Sequence, residues 1–355
     1  MDDSIREHHS QSAPDPAPSP HRRRPRYAGK YPRRFEDKYK EHNPQRYSET
    51  VAKVLAAGKT PAGAHRPIMV KEVLKALAPQ PGEVAADCTL GYGGHARELL
   101  ARLQPGGRLL GLDVDPIELP RAEARLRALG FGPETFSVCQ SNFAGLPQVL
   151  AKAGLSGADL ILADLGVSSM QLDDPLRGFS VKQDGPLDMR MNPQRGQPVS
   201  ALLRKLRPDA LAAILEENAD EPRARLLAHA LASRDYGTTR ALETDIRKVL
   251  RGVGEEEKDL CVRRVFQALR IAVNDEFSAL DALLRVLPGC LRPGGRVAIL
   301  TFHSGEDRRV KKAFEAGLRG GVYADIAREV SRPSPEERYA NPRSASAKLR
   351  WARRA

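Results

Sequence analysis

The stretch from Val84 to Asp115 constrains the fold more than any other part of this 355-residue chain. A short apolar run, Val84-Ala85-Ala86, ends in Asp87 and gives way to Cys88-Thr89-Leu90-Gly91-Tyr92-Gly93-Gly94-His95. An amphipathic segment with Leu99, Leu100 and Leu103 follows, Gly106-Gly107 interrupts it, and a second apolar run ends in Asp113. Strand, glycine loop, helix, strand, acid is the first half of a doubly wound α/β sheet. Glycines in such a loop let the backbone approach a ligand without interference from a Cβ. Asp113 lies about 20 residues past the loop, where a carboxylate at a strand tip can accept from both hydroxyls of a ribose.

Two cofactors suit that geometry. Gly91-x-Gly93-x-x-Ala96 matches the dinucleotide fingerprint, a pattern that is weak by itself. Asp87-x-Thr89-x-Gly91-x-Gly93 matches the acidic glycine loop of S-adenosylmethionine-dependent methyltransferases, with Thr89 in place of the first glycine. An acid opening the loop favours a ligand carrying an amino group and a sulfonium, and would repel a pyrophosphate.

Further strand-like runs repeat the arrangement. Thr135 to Cys139 closes on Ser141-Asn142-Phe143, and Ala158 to Ala163 ends in Asp164. From Pro175 to Cys261 the strand pattern gives way to short capped helices, which predicts an all-helical insertion over residues 175–261 between sheet segments 61–174 and 262–355. A single long helix, Val262 to Leu287, is expected to lead back to the sheet. A fifth strand, Arg296 to Phe302, then precedes His303-Ser304-Gly305-Glu306-Asp307. Residues 1–60 are rich in proline and arginine and read as a disordered basic arm; Arg338 to Ala355 reads as a basic tail.

Composition matters for partners. The net charge of +12 favours a polyanion, most simply nucleic acid, while aromatics at 5% argue against a broad base-stacking platform. No apolar run is long enough for a membrane span, and nothing at the N-terminus resembles a signal peptide, so a cytoplasmic location without a membrane partner is expected. Cys88, Cys139, Cys261 and Cys290 are scattered, and His95 and His303 lack close partners at ligand spacing, so no metal site is expected.

Ligands of open α/β sheets sit off the carboxyl ends of the strands. Asp87, Asp113, Asn142-Phe143 and Asp164 converge there, with Phe143 placed to cover an adenine. The loop Asp164-Leu165-Gly166-Val167-Ser168-Ser169-Met170-Gln171 brings a carboxylate, two hydroxyls and an amide to the fourth strand end, groups able to orient a nucleophilic amine. Asp164, Ser168 and Ser169 are therefore the candidate catalytic residues. Arg177, Arg190 and Arg195, just past that strand end, are candidate contacts to the phosphates of a nucleic acid.

Several longer runs carry a resemblance. Asp164 to Ser169, Arg177-Gly178-Phe179-Ser180, Asp184-Gly185-Pro186-Leu187-Asp188-Met189-Arg190-Met191, Phe266 to Asn274, Phe302-His303-Ser304-x-Glu306-Asp307-Arg308 and Asn341-Pro342-Arg343-Ser344 resemble, in order, the RsmH (MraW) family of small-subunit ribosomal RNA cytosine-N4 methyltransferases. The resemblance spans about His65 to the C-terminus and leaves the arm outside. It implies a Rossmann-like class I methyltransferase sheet with a helical insertion that recognises RNA. S-adenosylmethionine would be the cofactor, and a cytidine in the decoding region of an assembled or nearly assembled small subunit the target. By motif position, cofactor contacts fall on Gly93, Gly94, His95, Asp113, Phe143, Asp164 and Gln171. One departure lies in the fifth-strand motif: Gly305 stands where the family usually has Leu.

Overall fold

The computed structural model describes residues 67–355, so the expected arm over residues 1–60 lies outside the described residues. The chain begins α1 (Val70–Leu77), β1 (Val84–Asp87), α2 (Gly94–Leu103), β2 (Arg108–Asp113), α3 (Glu118–Ala128), β3 (Phe136–Gln140), α4 (Leu146–Lys152) and β4 (Ala158–Asp164). A short α5 (Ser169–Asp173) leads to α6 (Val199–Lys205), α7 (Pro208–Ala219), α8 (Ala224–Leu231), α9 (Thr239–Val249) and α10 (Glu255–Asn274). The return runs through α11 (Glu276–Cys290), β5 (Leu291–Thr301), α12 (Ser304–Arg319), β6 (Tyr323–Ile326), α13 (Pro335–Ala340) and β7 (Lys348–Arg354).

The strands form one sheet in the order β3-β2-β1-β4-β5-β7-β6, with β1 to β5 parallel and β7 antiparallel to both its neighbours. This is the Rossmann-like α/β architecture that the sequence implies. Side chains alternate across each strand, so one face takes Ala86, Leu110, Ile161 and Val297 and the other Ala85, Leu109, Leu160 and Ala298. The first face is covered by α4, α11 and α12, the second by α1, α2 and α3. Burial on both faces is why these strands read as continuous apolar runs. Strand order reverses between β1 and β4, and the crevice beyond their carboxyl ends is where the acids converge.

The helices α6 to α10 have a core of their own, built from residues such as Leu203, Leu215, Leu227, Ile246, Val265 and Leu269. That core reaches eight residues past Cys261, so helical packing extends beyond the boundary expected from sequence. The single long helix is in fact two. Asp275, with φ 50°, separates α10 from α11. Aspartate tolerates the left-handed region better than most residues. The break also lets Arg270 and Glu276 pair at 2.8 Å, which residues six apart on an uninterrupted helix cannot do.

The expected basic tail is also structured. Lys348–Arg354 is β7, paired with β5 from Thr301↔Lys348 to Arg296↔Arg353. Arg350 is buried against Asp307 at 2.6 Å, and Lys348 reaches the same carboxylate at 3.2 Å. These cations belong to the sheet rather than to a solvated arm. Among the described residues, no helix is long and apolar enough to cross a membrane.

Candidate active site

A cavity of about 1070 Å³ opens over the carboxyl ends of β1, β2, β4 and β5. Its floor is set by the loop after β1. Asp87 is buried and accepts from the Thr89 N–H at 3.1 Å. The Thr89 hydroxyl accepts from the Asp164 N–H at 2.6 Å. The residue that replaces the expected glycine thus ties the β1 loop to the β4 tip.

Gly91, at φ 48°, donates its N–H to Asp113 Oδ2 at 2.7 Å, and Asp115 N–H reaches Asp113 Oδ1 at 2.9 Å. Burial pushes Asp113 up to about 6 despite those bonds. Burial likewise pushes Asp87 up to about 6, against the opposing effect of His95. Acids crowded in one low-dielectric corner resist ionising together, and a cationic ligand would relieve them.

Of the expected cofactor contacts, Gly94, His95, Asp113, Phe143, Asp164 and Gln171 border the cavity. Gly93 does not. Its φ of 82° caps α2, and a Cβ there would lie 3.1 Å from Leu126, which accounts for the glycine by packing. His95 Nε2 stands 3.5 Å from Asp164 Oδ2. His95 Nε2 and Asp164 Oδ1 are both buried without a hydrogen bond inside the protein. Buried polar atoms are rarely left so, and a ligand in this cavity would complete them.

Ser168, Ser169 and Gln171 also border the cavity. Ser168 and Gln171 form a reciprocal cap on α5: the Gln171 N–H donates to Ser168 Oγ at 3.2 Å, and the Ser168 N–H to Gln171 Oε1 at 3.0 Å. The Gln171 amide also donates to Asp115 Oδ2 at 2.8 Å. Gln171 therefore shapes the floor as well as facing the cavity.

The three arginines separate. Arg177 is not available to a phosphate. It is buried, pairs with Asp115 at 2.8 Å, and donates to the carbonyls of Arg190 and Met191. Sequence spacing could not show this, because the partner is 62 positions away. Arg190 is held by both oxygens of Asp188 at 2.7 Å, and those bonds raise it above the ordinary guanidinium value. Arg195 is exposed on the cavity rim.

Sequence reasoning missed the opposite wall. Arg270, Asn274, Glu276, Phe302, His303 and Glu306 all border the same cavity. Asn274 holds the loop before α6, accepting from Met191 N–H at 2.7 Å and donating to Met189 O at 2.8 Å. His303 Nε2 lies 3.2 Å from Glu306 Oε1. The available signal was the spacing of His303 and Glu306, three apart at the start of a helix. Among the described residues, no group of three His, Cys, Asp or Glu side chains could hold a metal ion.

The sheet order, the acid-tipped strands and the cavity at their switch point define a Rossmann-like class I methyltransferase fold. Comparison with known proteins identifies the family. The MraW methylase family matches residues 62–355, and the chain belongs to it. It is 48% identical over 341 residues to ribosomal RNA small subunit methyltransferase H 1 of Lachnoclostridium phytofermentans, covering 94% of this chain and 93% of that protein. It is 49% identical to ribosomal RNA small subunit methyltransferase H 2 of Alkaliphilus metalliredigens, covering 93% and 97% respectively. The family match begins at residue 62, in keeping with a resemblance that starts near His65 and leaves the arm outside it, while the alignments to these two relatives extend further toward the N-terminus. Among solved structures, TrmN from Thermus thermophilus matches with a TM-score of 0.39 and 14% identity, over 81% of this chain and 48% of that one. Membership in a methylase family removes the dinucleotide reading of the glycine loop.

Proposed function

We propose that this chain transfers a methyl group from S-adenosylmethionine to the exocyclic N4 of a cytidine in the decoding region of small-subunit ribosomal RNA. The observation that carries the reading is Asp164, whose Oδ1 is buried and unpartnered on a cavity of about 1070 Å³. That volume is at the top of the range for a single small ligand, about 300–1,000 Å³, and leaves room for a base beside a cofactor. The names of the relatives support the RNA class, and an assembled or nearly assembled subunit in the cytoplasm is the proposed substrate.

When bound, S-adenosylmethionine supplies an electrophilic methyl group on a sulfonium. The chain's own residues do the rest. Asp113 would accept from the ribose hydroxyls, Phe143 would cover the adenine, and Gly94, His95 and Gln171 would border the remainder. The acids of the floor suit a cation. Cytosine's exocyclic nitrogen is a weak nucleophile because its lone pair is delocalised into the ring. A hydrogen bond from N4–H to Asp164 localises that pair, with Ser168 and Ser169 beside it. The target base must be unstacked to enter the cavity.

The choice of nitrogen over ring carbon 5 also rests on cysteine. Carbon-5 transfer needs a thiolate nucleophile. Cys88 is the cysteine that borders the cavity, and burial, with the Asp87 charge adding to it, pushes its thiol well above the ordinary value. It is a poor thiolate. Mass spectrometry of nucleosides from small subunits, with and without the gene, tests the reading. The expected loss is of N4-methylated cytidine. Its persistence at the wild-type level, with another modified nucleoside missing, would refute the assignment.

A further inference from the structure

The wall of the cavity across from Asp164 holds a second set of groups, His303 and Glu306 among them, that lie apart from the acid-tipped loops. His303 follows the tip of β5, where Leu300 lies opposite Asp164 in the β4–β5 register. Its side chain is 11% exposed, Nε2 stands 3.2 Å from Glu306 Oε1 as a charge contact outside hydrogen-bond geometry, and both ring nitrogens are buried without a hydrogen bond in the protein. Glu306 is fixed in turn, accepting from the Phe302 N–H at 2.8 Å through its other oxygen. Burial would raise the Glu306 carboxyl, but His303, Arg270 and the Phe302 N–H together hold it below the usual range. A carboxylate thus stands behind the imidazole, the arrangement that stabilises an imidazolium once a ring nitrogen takes a proton.

The ring is also held sterically. Phe277 packs on it with centroids 5.6 Å apart, and Arg309 stacks on Phe277 at 3.9 Å. Gly305 makes this possible. A Cβ at that position would lie 2.6 Å from Phe277 Cζ and 3.2 Å from His303 Nδ1. The departure from the family's usual Leu is thus matched by an aromatic ring in the space a side chain would need. Behind the pair, Arg270 and Glu276 neutralise each other at 2.8 Å.

We propose that His303, oriented by Glu306, is the proton acceptor for the acceptor base, and that this wall is the compartment in which the base sits. The inference rests on the proposed N4 transfer and deepens it. The exocyclic amine carries two protons, and the product keeps one. Asp164 holds one N–H by hydrogen bond, and His303 takes the other. The N4 lone pair forms the new N–C bond while the C–S pair stays with sulfur. The N–H pair returns to nitrogen as its proton passes to His303, and from there to solvent. The resulting imidazolium is faced by Glu306 at 3.2 Å, and its charge also reaches Glu276 and, just past α7, Asp220, which are themselves paired with Arg270 and Arg308.

The test uses the full chain with small subunits purified from a strain lacking the gene. His303→Ala should lower kcat by about 10²–10⁴-fold, with cofactor Kd and subunit Kd within about twofold of wild type, and added imidazole should restore turnover in proportion to its concentration. Glu306→Gln should fall between the two. His303→Gln, which keeps the volume and a donor to Glu306, replaces the alanine variant should that one fail to fold. A kcat within about threefold of wild type in a folded variant overturns the proposal, as does a loss that imidazole leaves unchanged or a loss confined to subunit affinity. A wild-type protein that places no methyl on N4 of cytidine overturns the functional reading itself, and the inference with it.

Discussion

The two walls of the cavity solve opposite electrostatic problems. The β1–β2–β4 wall gathers Asp113, Asp115 and Asp164 with Asp87 buried behind them, and burial pushes Asp87 and Asp113 up to about 6. The α10–β5 wall pairs its ions, Arg270 with Glu276 and His303 with Glu306. An acid-rich wall with unsatisfied atoms awaits positive charge, whereas a neutralised wall suits an uncharged base. Asp164 stands at the end of β4, beside β5 in the sheet, where the two walls meet. Its removal is the strongest way to break the comparison. Asp164→Ala should lower methyl transfer by about 10²–10⁴-fold, read from single-turnover transfer of labelled methyl at saturating cofactor. Asp164→Asn, which keeps the shape but loses the acceptor charge, should be nearly as impaired. Wild-type single-turnover rates in either variant would take Asp164 out of the reaction.

A second test concerns the link between the walls. Arg177 crosses from the β2 side to the loop that Asn274 holds, pairing with Asp115 and with two carbonyls. Arg177→Ala leaves Asp115 buried beside Asp113 without its countercharge. A broken buried pair costs about 3–5 kcal/mol, to be read as a lower urea midpoint. The salt dependence of RNA binding should stay as in wild type. An unaltered midpoint with a shallower salt slope would restore Arg177 to the RNA contacts that its sequence position suggested.

The same contrast explains which features were legible in the sequence. The acid-rich wall is written locally: Val84 to Asp115 contains a strand, a glycine loop and two strand-tip acids in contiguous sequence. The strand periodicity also exposes Asp164. The other wall depends on contacts that no local pattern encodes. Asn274 meets Met189 from 85 positions away, and Arg177 meets Asp115 across 62. The break at Asp275 was hidden because apolar residues continue at helical spacing on both sides of it. Strand β7 was hidden by its own charge, since Arg350 is buried only through its pairing with Asp307.

Asp113 gives a graded test of the acid-rich wall. Asp113→Ala should weaken cofactor binding by about 1.5–3 kcal/mol, the range for hydrogen bonds to a charged group, while leaving the fold intact. Because its carboxyl is raised to about 6, it is ionised, and the stronger acceptor for the proposed ribose hydroxyls, above that pH. Wild-type affinity should therefore fall as pH drops through about 6, approaching about tenfold per unit at lower pH. Asp113→Asn should lack that limb in calorimetric titrations. A wild-type pH profile in the Asn variant would assign the limb to another group. The same shift at Asp113 and at Asp87 bears on stability as well. Between the ordinary value of 3.8 and about 6 the folded state keeps at each a proton that the unfolded state has lost. Stability should therefore fall as pH rises through that window, and Asp87→Asn should flatten the fall in urea titrations.

The smallest effect is expected at the rim. Arg190 and Arg195 share a loop but not a situation. Arg190 is committed to Asp188 at 2.7 Å through two nitrogens, so reversing its charge would set two acids against each other and disturb the loop itself. Arg195 is exposed beside the cavity mouth, where a charge can change without breaking an internal pair. Exposed cations contribute to RNA affinity by releasing counterions, each phosphate contact adding about 0.7–0.9 to the slope of log affinity against log salt. Arg195→Glu should therefore reduce that slope by about one unit, with cofactor affinity and unfolding midpoint as in wild type. Filter binding to purified small-subunit RNA at several salt concentrations reads the slope directly. If it equals that of wild type, the backbone of the RNA does not pass this rim, and the path of the docked strand must be sought on another face of the helical insertion.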